Sequence, residues 1–291
     1  MLYLAIVSVV WALSFGLIKH YLAGVDPSFV AAVRMLLSLV VFAPFISIKG
    51  VSRSNLLKLA GIGAVQFGLM YVFYMSAFRY LAATEVALLT IFTPLFVTLL
   101  DDLLERRISW IFLATASLAV VGTGICLWTE LHREGLLAGF ILIQLSNFCF
   151  AAGQVWYRRV MPAIARKDSQ VMGVLYLGGF ATAAALATAR FRPASLHLTT
   201  PQILVLIYLG VVASGLGFFL WNVGARRTNV GALAIFNNAK IPLGILASAL
   251  IFPASARNLS QPTLWVNIQA GGAIIAASLL LNQRLCRKPR M

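Results

Sequence analysis

Polar residues interrupt a long apolar run in the last third of the chain. The run covers about residues 230–251, and the segment A-I-F-N-N-A-K-I-P lies in its middle. Asn237 and Asn238 offer both hydrogen-bond donors and acceptors, and Lys240 adds a positive charge. Pro242 has no amide hydrogen, so the carbonyl of Asn238 loses its helical partner. Together these groups indicate one wall of a binding site inside an apolar helix bundle.

A second set of polar residues lies in another apolar run, at about residues 134–157. Gln144 and Asn147 are three residues apart, so they share one face of a helix. Ser146 and Gln154 add two further polar groups to the same segment. Any one of these side chains could simply bond to a neighbouring helix. Four in one apolar segment favour the wall of a polar cavity.

Two charged residues inside apolar runs allow two interpretations each. Arg34 lies about six or seven residues into its apolar run, which at 1.5 Å per residue is roughly 10 Å from the end of a helix. Its side chain could extend outward to the surface as a structural residue, or it could contact a ligand. Glu85 could be a carboxylate that binds and releases a proton. It could equally stabilise a helix N-terminus, because Thr84-Glu85 resembles a helix start.

The elements that must position these residues are membrane-spanning helices. Hydrophobic residues form 61% of the 291 residues, charged residues form 11%, and the mean hydropathy is +0.92. Soluble domains are about half apolar and a quarter charged, whereas a bilayer-spanning helix needs roughly 20 apolar residues. The sequence therefore predicts an all-α membrane protein. Its ten predicted transmembrane helices cover about residues 2–19, 28–47, 56–78, 83–103, 108–128, 134–157, 170–190, 202–222, 230–251 and 262–282.

The basic residues predict the orientation of these helices. The net charge of +15 does not indicate nucleic-acid binding, because the basic residues are scattered between apolar segments. With the N-terminus in the cytoplasm, the inside connections and the C-terminal tail hold fifteen lysines and arginines, and the outside connections hold six. This excess predicts that both termini are cytoplasmic. The cysteines and histidines have no metal-ligand spacing, so neither a metal nor a cofactor is expected.

The third and eighth predicted helices share a pattern of small residues. Both contain Ala-x-x-x-Gly, at Ala64 and Gly68 in the third and at Ala213 and Gly217 in the eighth. Small residues at this spacing allow helices to approach each other closely. The likeness indicates an internal repeat.

Prolines extend the repeat. Thr90 precedes Pro94 by four residues, as Asn238 precedes Pro242, so each half is predicted to hold a kinked helix with a polar residue at the freed carbonyl. The predicted repeats are residues 1–130 and 131–291 within one membrane domain. Because each has five helices, the two copies must be inverted in the membrane. Such repeats with broken helices are typical of secondary transporters.

Several segments resemble a known family. The chain is similar over its whole length to the EamA branch of the drug/metabolite transporter superfamily, and within that branch to the members that carry biotin across the enterobacterial inner membrane. The segments that carry this resemblance are W-A-L-S-F (Trp11–Phe15), V-R (Val33–Arg34), Q-F-G-L-M-Y (Gln66–Tyr71), T-E-V-A-L-L-T-I-F-T-P-L (Thr84–Leu95), Q-L-S-N (Gln144–Asn147), G-V-V-A-S-G-L-G-F-F-L-W-N (Gly210–Asn222) and N-N (Asn237–Asn238).

The resemblance implies a secondary transporter of the bacterial inner membrane that imports biotin, or a similar small amphipathic carboxylate, by alternating access. Amide side chains suit the ureido group of biotin, aromatic rings could cover its bicycle, and Lys240 or Arg34 could hold its carboxylate. The predicted substrate-binding residues are Trp11, Arg34, Gln66, Tyr71, Gln144, Asn147, Trp221, Asn222, Asn237, Asn238 and Lys240.

Other functions stay open at this stage. An exporter of amino acids, amines or other small metabolites would have the same architecture. A membrane enzyme or a non-transporting scaffold is a third alternative, although no nucleophile–base spacing or phosphate loop indicates an enzyme. The expected partners are a small-molecule substrate and the lipid bilayer, without nucleic acid.

Overall fold

The computed structural model describes residues 1–22, 24–81, 83–126, 135–188, 198–251 and 262–287, and these residues form helices and no strand. The α-helices are α1 (Leu2–Tyr21), α2 (Pro27–Phe42), α3 (Arg53–Gly63), α4 (Met70–Ala77), α5 (Ala83–Leu89), α6 (Thr93–Glu105), α7 (Trp110–Cys126), α8 (Leu136–Val160), α9 (Asp168–Thr188), α10 (Thr200–Ile207), α11 (Gly217–Arg226), α12 (Val230–Ile251) and α13 (Pro262–Arg287).

Short non-α segments join three pairs of these helices without a break. The π-helical residues Ala64–Leu69 connect α3 to α4, and the π-helical residues Tyr208–Leu216 connect α10 to α11. A 3₁₀ turn, Thr90–Phe92, connects α5 to α6. π-helical turns are uncommon and occur frequently at functional sites. The first π-helical segment contains the Ala64–Gly68 pattern, and the second contains Ala213 and ends directly before Gly217.

The prediction of an all-α membrane protein is confirmed. Within the described residues, seven helical segments are long and apolar enough to cross a membrane. Two shorter apolar helices, Leu2–Ile18 and Trp110–Cys126, accompany them. The seven segments are Pro27–Phe45, Arg53–Ala77, Glu85–Glu105, Leu136–Ala163, Asp168–Thr188, Thr200–Arg226 and Trp265–Leu285. Six basic residues used to predict the orientation lie outside the described residues: Arg133, Arg190, Arg192, Arg257, Lys288 and Arg290.

The two prolines of the predicted repeat lie in different local structures. Pro94 lies in the first turn of α6, directly after the 3₁₀ turn, where a proline needs no amide hydrogen. Pro242 lies inside α12, which is α-helical from Val230 to Ile251. In the first half, the α-helix is therefore interrupted just before the proline. In the second half, the α-helix continues past the proline.

Small residues allow the helices to pack closely. Gly63 of α3 lies against the backbone of Leu175 in α9, so even one added carbon at this glycine would collide with it. Gly68, from the Ala-x-x-x-Gly pattern of the third predicted helix, lies against Thr182 of α9. Gly122 of α7 contacts Gly271 of α13 in the same way. Close approach at small residues is the usual packing mode of membrane helices.

Candidate substrate-binding site

An internal cavity lies among the helices of both halves of the chain. Its volume is about 90 Å³, which is room for several water molecules. The described residues that line it include two cations and no carboxylate. They are Trp11, Ser14, Ile18, Arg34, Met70, Tyr71, Tyr74, Thr90, Thr93, Ser146, Asn147, Phe150, Phe218 and Lys240.

Aromatic rings form one wall of the cavity. The ring centroid of Trp11 lies 5.7 Å from that of Phe150 and 5.3 Å from that of Phe218. Trp221 lies behind this wall, with its centroid 4.8 Å from that of Trp11. The indole nitrogen of Trp11 donates to the carbonyl oxygen of Ala213 at 2.8 Å, which fixes the orientation of the ring. Such a wall suits a flat apolar ligand.

Arg34 points into the bundle rather than toward the membrane surface. Only 3% of the residue is exposed. Its Nε donates to the hydroxyl of Ser214 at 3.0 Å, and its guanidinium carbon lies 4.3 Å from the ring centroid of Tyr71. The hydroxyls of Tyr71 and Ser214 are 3.3 Å apart. Within the described residues the terminal nitrogens of Arg34 make no hydrogen bond, so they are available to an anion in the cavity.

Lys240 approaches the cavity from α12. Its ammonium nitrogen lies 5.3 Å from the ring centroid of Trp11 and 5.7 Å from that of Phe150. Across the described part of the chain, no carboxylate pairs with this half-buried ammonium. Cation–π contacts compensate only in part for the loss of hydration. An anionic ligand would therefore gain a strong partner here.

The π-helical segment between α10 and α11 presents backbone carbonyls to other helices. The carbonyl of Ala213 accepts from Trp11, and the carbonyls of Ser214 and Gly215 share the hydroxyl proton of Tyr176. The carbonyl of Gly210 accepts one from Ser38 at 2.9 Å. Buried backbone groups need such partners where the regular α-helical pattern is lost. These bonds hold the segment beside Arg34 and Trp11.

The 3₁₀ turn before Pro94 is satisfied by polar side chains. The carbonyl of Thr90, which Pro94 leaves without a donor, accepts from the hydroxyl of Thr93 at 2.8 Å. The carbonyl of Leu89 accepts from the amides of Gln144 at 3.2 Å and Asn147 at 3.0 Å. A further hydrogen bond comes from α12, where the amide of Asn238 donates to the carbonyl of Ile91 at 2.9 Å. These three amides therefore bind the interrupted helix.

Four further amides form two reciprocal pairs. Gln66 and Asn222 exchange hydrogen bonds of 2.9 and 3.4 Å. Gln154 and Asn237 exchange hydrogen bonds of 3.4 and 3.3 Å. All four residues are completely buried and lie outside the cavity lining. Within each pair, every amide donates one hydrogen bond and accepts one, which offsets part of the cost of burying it.

Comparison with known proteins shows which family this chain belongs to. The profile of the EamA-like transporter family matches residues 1–128. The biotin transporter of Salmonella typhimurium is 36% identical over 97% of this chain and 92% of that protein. The probable biotin transporter of Pseudomonas aeruginosa is 38% identical over 97% of each chain. This chain belongs to the EamA-like transporter family.

Two further comparisons extend this result. The probable amino-acid metabolite efflux pump of Salmonella typhimurium is 26% identical over 95% of this chain and 92% of that protein. One protein of known crystal structure has the same fold, with a TM-score of 0.77 over 99% of this chain and 98% of that chain, at 19% identity. The chain is thus a membrane transporter of the EamA-like family and not an enzyme.

In this EamA-like transporter the predicted binding residues separate into two groups. Those that line the cavity are Trp11, Arg34, Tyr71, Asn147 and Lys240. Those outside its lining are Gln66, Gln144, Trp221, Asn222, Asn237 and Asn238. Glu85 is also outside the lining and is buried in the first turn of α5.

Sequence reasoning missed several aromatic residues of the cavity. Tyr74, Phe150 and Phe218 line it but were not predicted. Tyr74 lies three residues after Tyr71, and Phe150 lies three residues after Asn147, so helical spacing gives each pair one face. Examining the residues one helical turn before and after each predicted residue would have identified them.

Proposed function

We propose that this transporter imports biotin, or a similar small amphipathic carboxylate, across the bacterial inner membrane by alternating access. The observation that carries the proposal is the composition of the cavity: an aromatic wall, two cations, several neutral hydrogen-bonding groups and no carboxylate among its described lining residues. This combination suits a molecule with an apolar body and one negative charge.

The parts of biotin correspond to different parts of the lining. Its apolar bicycle suits the wall formed by Trp11, Phe150 and Phe218. Its ureido group both donates and accepts hydrogen bonds, which suits Asn147 and the neighbouring hydroxyls. Its carboxylate would pair with Lys240, or with the terminal nitrogens of Arg34. The names of the relatives at 36% and 38% identity support the same substrate.

The predicted residues outside the cavity lining have a different place in this proposal. Gln66, Asn222 and Asn237 could contact substrate only after their reciprocal amide pairs separate. Asn238 keeps one buried oxygen that accepts no hydrogen bond from a described residue, and Trp221 keeps one such indole N–H. A substrate that moved deeper into the bundle could use these two groups.

We also propose ten transmembrane helices in two inverted five-helix repeats, residues 1–130 and 131–291, with both termini in the cytoplasm. The two π-helical segments support the repeat, because they lie in the third and eighth predicted helices. The excess of basic residues in the predicted inside connections supports the orientation.

Export of amino acids is the second candidate, favoured by relatives that are named as an amino-acid metabolite efflux pump and an aromatic amino acid exporter. An amino acid carries an ammonium group as well as a carboxylate. Among the described lining residues no carboxylate is present to bind that ammonium, while two cations would repel it. The cavity therefore suits a monoanion better than a zwitterion.

Uptake of labelled biotin tests the proposal. The cells should lack their own biotin synthesis and transport, and they should be compared with and without this gene. We expect saturable uptake that unlabelled biotin competes away. Absence of uptake from protein that is well expressed in the membrane would contradict import. Loss of labelled amino acids from preloaded cells would then support the exporter.

A further inference from the structure

Two groups of charged side chains connect helices at one end of the bundle. In the first group, Arg226 at the end of α11 donates to both carboxylate oxygens of Asp168, at 2.8 and 2.7 Å. The hydroxyl of Tyr157 in α8 donates to the same carboxylate at 2.7 Å. Since Asp168 begins α9, this group joins α8, α9 and α11.

The second group joins α8 to α6. One terminal nitrogen of Arg159 lies 2.8 Å from a carboxylate oxygen of Asp101 and 2.9 Å from one of Glu105. The Asp101 side chain is only 9% exposed and that of Asp168 is 17% exposed, whereas that of Glu105 is 40% exposed. Partly buried pairs of this geometry are stronger than ordinary surface ion pairs.

Both groups lie at a similar distance from the cavity. Arg226 follows Phe218 by eight residues, which is about 12 Å along α11. Arg159 follows Phe150 by nine residues, which is about 14 Å along α8. On α6 and α8, Thr93 contacts Asn147 near the cavity. Later in both helices, Asp101 contacts Arg159. The two helices therefore run in the same direction, from the cavity toward this end.

Tightly packed residues separate the charged groups from the cavity. Gln154 lies between Phe150 and Arg159 on α8, and Asn222 lies between Phe218 and Arg226 on α11. Both belong to the completely buried amide pairs. The bundle is therefore closed between the cavity and this end.

At the opposite end, the described residues include a different kind of ion pair, Arg79 with Asp26, which has a separation of 3.7 Å. Half of the Arg79 side chain and a quarter of the Asp26 side chain are exposed. Exposed pairs at such distances contribute little to stability.

We propose that the two charged groups form a latch, defined as Tyr157, Asp168 and Arg226 together with Asp101, Glu105 and Arg159, that keeps the bundle closed on one side of the cavity. This latch must separate in each transport cycle so that substrate leaves on that side. The proposal rests on the alternating access proposed above. By the distribution of basic residues, the side is the cytoplasmic one.

Cross-linking tests whether the latch must open. The variant Asp168→Cys/Arg226→Cys, with the native cysteines replaced by alanine, is treated with a short bis-thiosulfonate cross-linker in proteoliposomes. We expect cross-linking to reduce biotin uptake more than tenfold and a reductant to restore it. Uptake that continues unchanged after complete cross-linking would overturn the latch. Failure of uptake in the reduced and parental proteins would instead contradict biotin import.

A labelling experiment tests the latch without any transported substrate. A reporter cysteine replaces Ala225, a completely buried residue of α11, and a membrane-impermeant maleimide is applied from the latch side. We expect Asp168→Asn to increase the labelling rate on the order of tenfold, which corresponds to about 1.4 kcal/mol. The exchange Asp168→Arg/Arg226→Asp should restore slow labelling.

Arg79→Gln serves as the matched control, because it removes the ion pair at the opposite end. It should leave the labelling rate unchanged. Equal labelling rates for Asp168→Asn and the parent protein would overturn the proposal, as would an equal increase in Arg79→Gln. Because no substrate enters this experiment, its outcome does not depend on the identity of the cargo.

Discussion

Replacing Lys240 by methionine should weaken binding of the substrate carboxylate without destabilising the fold. The ammonium of Lys240 has aromatic neighbours at 5.3 and 5.7 Å but no carboxylate partner among the described residues. Methionine has a similar length and removes the charge together with the N–H donors of the ammonium. The apoprotein should therefore unfold at the same temperature or at a higher one, since burying an unpaired charge is unfavourable.

The expected loss of affinity follows from the missing ion pair. A hydrogen bond between charged groups contributes about 1.5–3 kcal/mol. At 1.4 kcal/mol for each factor of ten, the dissociation constant of biotin should rise about 10- to 150-fold. Biotin methyl ester has no negative charge, so its binding should change little. Lys240→Arg keeps a positive charge and serves as the matched control.

Arg34→Met should behave differently, because Arg34 is part of the fold as well as the cavity. It would lose the charged hydrogen bond to Ser214 and the contact with Tyr71. The lost hydrogen bond should cost about 1.5–3 kcal/mol of stability, and the relief of burying this charge offsets only part of that cost because the hydroxyl of Ser214 loses its donor. A lower unfolding temperature is therefore expected for Arg34→Met and not for Lys240→Met.

The assay is equilibrium binding of labelled biotin to purified protein, with the ester as competitor, together with thermal unfolding of each apoprotein. If Lys240→Met weakens the acid and the ester equally, Lys240 does not hold the carboxylate. If Lys240→Met also lowers the unfolding temperature as much as Arg34→Met does, the reasoning from its lack of a partner is wrong.

Two predictions concern helix packing and can be tested by unfolding in detergent. Gly63→Ala should destabilise the protein by about 1–3 kcal/mol, because its added carbon collides with the backbone of Leu175. Gly61→Ala, two residues away with no atom within 4 Å, should be neutral or stabilising, and equal effects would contradict the packing argument. Gln66→Leu and Asn222→Leu should each cost about 1–3 kcal/mol by leaving the partner amide unsatisfied. The double variant should cost less than their sum, whereas simple additivity would show that the two amides are not coupled.

The sequence predicted the class of the protein well because the relevant signal is local. Apolar runs of helical length identify membrane helices whatever their neighbours are. Polar residues within such runs also stand out individually, and five of the eleven predicted binding residues line the cavity. The small-residue patterns at Ala64 and Ala213 marked the region of the two π-helical segments, although their π geometry was not predicted.

The partners of the polar residues were not predictable from the sequence. Gln66 and Asn222 are 156 residues apart, and Gln154 and Asn237 are 83 residues apart. Whether two amides face each other or a cavity depends on the rotation and packing of whole helices. A polar residue in an apolar run looks the same in both cases. The sequence by itself therefore determined that this is a helical membrane transporter with polar groups inside its bundle. Only the tertiary structure decided which of those groups satisfy one another and which remain available to a substrate, because hydrogen bonding depends on distances between helices.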